Sequence, residues 1–454
     1  MSRPSLAIII LAAGKGTRMR SDTPKVMHKL AGQPMLRHVL ETCERLDPAR
    51  IVVVAAPGMA TVEAAALPHR VALQTEQRGT GHAVGCARPA LDDVPFDDVL
   101  VAYGDTPLIT PQTFARLLEE RRRSGAAVAV LGMRVEPPNA YGRLVLDAAG
   151  NLAEIVEAAE ATPEQLAITL CNSGVMAVDG AVLFDLLAGI SDQNTKGEYY
   201  LTDLVGLARR SGRITRMVEA PSEELAGVDS RALLAAAEAI AQRRLRARAM
   251  EGGVTLTDPS SVFLCLDTRL GRDVVIGPNV VFGPGVTIED RVEIKPFCHI
   301  EGTVIRSGAV IGPFARLRPD SEIGAGGHIG NFVELKNTRL GPGAKANHLA
   351  YLGDAEIGAK SNIGAGTITC NYDGFFKYRT VIGAEVFIGS NTALVAPVAI
   401  GDGASTAAGS VITRDVAPDA LALGRARQTD KPGYAARFRD LKRRAKAAER
   451  LDKE

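Results

Sequence analysis

The chain has 454 residues and a mass of 47.9 kDa, too long for one ordinary core at about 100–200 residues per domain, so at least two domains are expected. Lys and Arg number 53 against 52 Asp and Glu, a formal net charge of +1; this excludes a global attraction to nucleic acid or a membrane and leaves phosphate recognition to local groups. Six cysteines, Cys43, Cys86, Cys171, Cys265, Cys298 and Cys370, form no CxxC pair, which fits a reducing, cytoplasmic setting better than a disulfide scaffold or a zinc cluster.

The apolar run Leu6–Leu11 opens the chain and leads straight into Gly14-Lys15-Gly16-Thr17, so it reads as a strand entering a glycine turn and not as a signal peptide. No stretch approaches the ~20 apolar residues that cross a bilayer, and a soluble protein is expected. Ile51–Ala55, Val99–Ala102 and Ala126–Leu131 read as further strands, alternating with helix-like Met35–Leu46 and Gln112–Arg123. That alternation predicts a mostly parallel α/β sheet over residues 1–230. Residues 231–251 are nearly all strong helix formers and are expected to be a helical linker.

After it, over residues 252–454, the texture changes: 27 of the 46 glycines fall here. An apolar residue returns every six positions at Ile276, Phe282, Ile288, Ile294 and Ile300, then Ile311, Leu317, Ile323, Ile329 and Leu335, and again Ile382, Ile388, Leu394 and Ile400. Six fits neither a helical period of 3.6 nor a single long strand, and so predicts short strands turned at regular corners, a β-solenoid. This half resembles the hexapeptide-repeat acyltransferases, which implies a left-handed parallel β-helix and a homotrimer. The run 371–378, Asn-Tyr-Asp-Gly-Phe-Phe-Lys-Tyr, interrupts the period and is expected to leave the coil as a loop. The last segment, 437–454, carries eight Lys or Arg and four Asp or Glu and reads as a solvated helix, with closure over a phosphorylated ligand as the alternative.

The string Leu11-Ala12-Ala13-Gly14-Lys15-Gly16-Thr17-Arg18-Met19, with Pro24-Lys25 after it, stands where an open α/β sheet binds ligands: glycines admit phosphate to the backbone, and Arg18 and Lys25 add cations. It resembles the signature of sugar-1-phosphate nucleotidyltransferases. Gln74, Gly79-Thr80-Gly81, Tyr103-Gly104-Asp105, Tyr141-Gly142-Arg143, Glu157 and Asn172-Ser173-Gly174 extend that resemblance in order. It implies that Gln74, Gly79 and Thr80 read a uracil base and that Gly142, Glu157 and Asn172 hold a sugar. Asp105 and Asp229 would hold Mg²⁺, Asp229 standing where that family carries Asn.

His348, in Ala346-Asn347-His348-Leu349, has the basic residues Arg316, Arg318 and Lys336 before it, and a neutral imidazole suits removal of an ammonium proton during acyl transfer. Cys370 as an acyl-enzyme nucleophile is the alternative, which direct attack by an amine does not need. Over nearly its whole length the chain resembles the bacterial bifunctional family that makes UDP-N-acetylglucosamine. The resemblance implies that Arg318, Lys336, Tyr351 and Asn362 hold glucosamine-1-phosphate, and that Ala365, Asn371, Tyr372, Ser390, Ala408 and Arg425 contact acetyl-CoA. It implies UTP as the second substrate. A nucleotidyltransferase with a purely regulatory coil, or a trimeric scaffold, are the competing readings.

Overall fold

Strand β1, Leu6–Leu11, is apolar on both faces because it lies inside a sheet covered on both sides, where alternation of apolar and polar residues is lost. The computed structural model describes residues 4–451. It divides into two units, the first running to Arg269 with Val281–Gly285 added, the second holding Leu270–Val280 and the chain from Val286 onward.

In the first unit β1 is followed by β2 (Arg50–Ala55), β3 (Arg70–Leu73), β4 (Asp98–Tyr103), β5 (Val128–Arg134), β6 (Arg143–Leu146), β7 (Leu152–Val156), β8 (Leu170–Asp179) and β9 (Thr215–Glu219). The main sheet runs β9-β5-β8-β4-β1-β2-β3, and only β8 lies antiparallel to its neighbours. The β6–β7 hairpin joins its side through Cys171↔Arg143. Leu11 pairs with both Val54 and Tyr103, so three parallel strands end together on one edge, where residues leaving them can converge on a ligand. The helix Arg231–Glu251 buries Ala237, Ala241 and Gln242, with Leu234 and Leu245 packed along the same face. The Gln242 amide is paired on both sides, donating to Leu264 O at 2.7 Å and accepting from Leu264 N–H at 2.8 Å, which satisfies a polar group that burial would otherwise penalise.

The second unit is a coil of two- to seven-residue strands in three ladders, with all ladder pairings parallel. On the first ladder Ile276, Ile294, Ile311, Ile329, Ala346, Ile363 and Ile388 stack in register, all buried. Each rung therefore takes three hexapeptides, and every third repeat residue returns to one interior column. The spacing breaks once, where Ile357 pairs with Ile382, twenty-five positions on instead of about eighteen. The excess is the predicted excursion, which leaves with Tyr372, Phe375 and Phe376 exposed and closes on a Tyr372–Lys377 bridge. The terminal helix Tyr434–Leu451 is exposed along its described side chains, as the solvated reading expects.

Candidate functional site

At the sheet edge in the first unit lies a cavity of about 300 Å³. Its floor is the turn after β1, Leu11 to Gly14, and its walls carry Lys25, Gln74, Gly79, Thr80, Tyr103 and Asp105. The two glycines of the opening turn have different tasks. Gly14 has open space where a Cβ would sit, so a ligand can reach the backbone there. Gly16 has φ +65°, and a Cβ on it would lie 2.5 Å from Lys25 Cβ; its smallness makes room for the lysine and not for phosphate.

Lys25 then reaches Asp105, with both side chains 17% exposed. Arg18, mostly exposed, pairs with Asp229 at 2.6 Å. Val228 N–H donates to Asp105 O at 2.8 Å, which fastens the segment carrying Asp229 beside Asp105. Burial above all, helped by the Asp105 and Glu157 carboxylates, pushes the Tyr103 phenol far up, so it remains a neutral donor. Gly174 leaves space for the Tyr103 ring, since a Cβ there would stand 2.8 Å from it. Asn172 N–H donates to Gly142 O at 2.8 Å, the Asn172 amide oxygen accepts from Gly174 N–H at 2.9 Å, and Glu157 accepts from Thr202 at 3.1 Å. Gly104 lies against Leu11 O and Val26. Arg143 departs from a ligand-facing role: it is wholly buried and donates to Leu166 O and Asn139 O. Gln77, which donates to Ala13 O at 2.7 Å, and Glu198 also border the cavity, and neither sits in a motif that would single it out.

On the coil, His348 is exposed and its Nδ1 lies 2.7 Å from Asn331 Oδ1, one rung away in register. The amide oxygen only accepts, so in the neutral ring Nδ1 carries the hydrogen and Nε2 the lone pair. Backbone bonds then continue the same corner upward: Gly366 N–H to His348 O, Asn391 N–H to Ala365 O, Gly409 N–H to Ser390 O, and the Arg425 guanidinium to Ala408 O at 2.8 Å. His348, Ala365, Ser390, Ala408 and Arg425 thus occupy successive rungs of one edge. At about 4.8 Å per rung, four steps span about 19 Å, a track for a long, thin ligand.

A second cluster forms around Gly353, where a Cβ would stand 2.5 Å from Tyr351 Oη and 2.7 Å from the Asn371 amide. Asn371 and Asn337 both donate to Asp354. Burial works against ionisation of Asp354, but those bonds and the Lys336 and Lys377 charges hold its carboxyl below the usual range. Lys336 is itself lowered, first by Lys377, then by burial and the Arg318 charge. Arg318 pairs with Glu334 at 3.0 Å. The cleft is therefore mixed and not simply basic, because a crowd of cations is costly unless carboxylates sit among them. Asn362 stands apart, on the first ladder beside Lys345, and the Tyr372 hydroxyl turns back to Gly374 O. Asn331, Glu334, Asp354 and Lys377 escaped the sequence reading; only the rung spacing, which sets Asn331 seventeen residues before His348, would have found the first.

Residues 8–168 match the MobA-like NTP transferase domain family, and residues 267–302, 302–337 and 379–414 match the bacterial transferase hexapeptide family. The bifunctional protein GlmU of Rhodospirillum rubrum is 59% identical over 440 residues, covering 96% of this chain and 98% of that one. The GlmU of Paramagnetospirillum magneticum is 56% identical over 441 residues (97% and 98%), and that of Paracoccus denitrificans 52% over 451 (98% and 100%). The chain belongs to the bifunctional GlmU family. As a GlmU-family enzyme it joins a uridylyltransferase to an acetyltransferase, and its hexapeptide coil is the left-handed β-helix. Membership sets aside the regulatory-coil and scaffold readings. No described helix is long and apolar enough to cross a membrane.

Proposed function

We propose that the coil acetylates glucosamine-1-phosphate with acetyl-CoA and that the first unit joins the product to UMP from UTP, releasing pyrophosphate. The observation that carries this reading is the column from His348 to Arg425, a track that a purely structural coil has no need to build. In the acetyl step the amine nitrogen bonds to the thioester carbonyl carbon and the carbon–sulfur bond breaks. His348 Nε2 takes the ammonium proton, and the departing thiolate is protonated to CoA, a contribution of typically about 10²–10⁴-fold from the base. Arg318, Lys336 and Lys377 receive the sugar phosphate, whose negative charge relieves the mutual repulsion of the lysines. Tyr351 fixes the sugar beside Gly353, next to Asn371 on the acetyl-CoA side.

In the uridylyl step a phosphate oxygen of the sugar bonds to the α-phosphorus of UTP and the bond to the β-phosphate bridge breaks. Lys25 and Arg18 offset the negative charge of the two polyanions and align them. Gly142, Glu157 and Asn172 hold the sugar. Asp105 and Asp229 suit Mg²⁺: both are hard oxygen donors, and the Val228 N–H bond to Asp105 O holds their segments side by side. A cation that keeps waters and substrate phosphates in its shell needs only one or two carboxylates. When bound there, it would supply charge neutralisation on the triphosphate.

The position of Asn362, away from Arg318 and Lys336 on a single copy, supports a homotrimer in which a neighbouring copy completes the sugar site. A cytoplasmic location accords with nucleotide and CoA substrates. The test is a coupled assay with glucosamine-1-phosphate, acetyl-CoA, UTP and Mg²⁺, with light scattering for the trimer. Asp105→Ala is expected to lose pyrophosphate release and keep acetyl transfer, His348→Ala the reverse. Either variant retaining its own step at the unsubstituted rate would overturn the reading.

A further inference from the structure

We infer that His82 sets the orientation of the Gln74 amide and through it the preference of the first unit for uridine over cytidine nucleotides. The inference rests on the proposed role of Gln74 in reading the base. Gln74 is 5% exposed and lies on the cavity wall. Its Nε2 donates to Gly79 O at 3.0 Å and sits 3.3 Å from His82 Nδ1. Gly79 O only accepts, so the amide atom facing it is the NH₂ group. That NH₂ then requires His82 Nδ1 to be a bare acceptor, which puts the imidazole hydrogen on Nε2, 3.8 Å from Cys86 Sγ.

Both amide hydrogens are consumed, one by Gly79 and one by His82. Oε1, which has no hydrogen-bond partner among the described residues, is left as the acceptor offered to the cavity. Uracil presents an N3–H donor and pairs with that oxygen. Cytosine presents an N3 lone pair, and two acceptors would face each other. Gly79 can hold the backbone carbonyl there because it has φ +102° at the start of the helix Thr80–Cys86, with Tyr199 backbone filling the space a Cβ would need. His82 is absent from the cavity lining and acts through Gln74, as a positioning residue.

The test measures kcat and KM for UTP and for CTP with N-acetylglucosamine-1-phosphate in the full chain, with acetyl transfer by the coil as the folding control. His82→Leu removes one of the two restraints, and the UTP-to-CTP ratio of kcat/KM is expected to fall about tenfold, the worth of one neutral hydrogen bond. The change should appear in KM, with kcat for UTP within about twofold. His82→Asn, whose Oδ1 takes the place of Nδ1, should restore the ratio. His82→Ser, too short to reach Gln74, should repeat the loss without an apolar side chain beside the cavity. If Gln74→Leu abolishes the preference while His82→Leu and His82→Ser leave it intact, this inference is overturned and the base-reading role of Gln74 stands. If Gln74→Leu leaves the ratio unchanged, the base-reading role falls and this inference with it.

Discussion

Replacing Gly16 by Ala tests the claim that the opening turn is shaped around a lysine. Two costs arise at one atom. The backbone at φ +65° is a left-handed conformation, which costs a residue with a Cβ about 1–2 kcal/mol. The new methyl would also stand 2.5 Å from Lys25 Cβ and 3.3 Å from Lys25 Cγ, so Lys25 or the turn must shift, an overpacking cost of about 1–3 kcal/mol. Together these give about 2–5 kcal/mol against the native turn, relieved by moving Lys25 away from Asp105. If the lysine moves, the charge it brings to the phosphates moves too, and loss of one such contact lowers kcat by about 10²–10³-fold. The assay is pyrophosphate release at saturating UTP, alongside thermal unfolding, with acetyl transfer as the internal control. Gly16→Ala with full uridylyl transfer and an unchanged unfolding midpoint would refute the reasoning.

Asn331→Leu frees the His348 ring to take either tautomer, and acetyl transfer is expected to fall about tenfold, the value of the lost hydrogen bond, without a change in uridylyl transfer. In Asn331→Asp the added carboxylate favours the imidazolium, so the acid limb of the acetyl-transfer pH profile should move to higher pH. Gly353→Ala should separate Tyr351 from Asn371 and raise KM for glucosamine-1-phosphate severalfold, measured at fixed acetyl-CoA. The Asp354 carboxyl is held down in the folded state, so its contribution to stability is complete above the unfolded value and lost as pH falls through the folded one. Urea unfolding of Asp354→Asn should therefore show a shallower loss of stability on acidification than the unsubstituted protein.

The fold was legible because its signals are periodic or strongly apolar. The sequence reading of Leu6–Leu11 matches the strand to the residue, and the six-residue period includes Ile276, Ile294, Ile311, Ile329 and Ile388 of the interior column, while Ala346 and Ile363 fall outside its unbroken runs. The cavity at the sheet edge was legible because its residues cluster in short strings at strand ends, where backbone geometry fixes what they face. The coil site was harder to read in full. Asn331, Glu334 and Asp354 lie one rung from a named residue, a relation that depends on ladder register and not on sequence proximity, and Lys377 reaches Lys336 from the excursion. Gly16 shows a subtler limit: its presence was read correctly, but a glycine admitting phosphate and one admitting a side chain look alike in a sequence.

The detour between Ile357 and Ile382 has a practical meaning. Each rung bonds only to the rungs above and below, so a loop can be extruded at a corner while the stack closes again in register behind it. The coil behaves like a spindle on which segments of different length can be hung without rewinding the thread. Exchanging the stretch from Asn371 to Tyr378 for another of its length is thus a way to alter what the coil presents at that corner while leaving the buried column as it is.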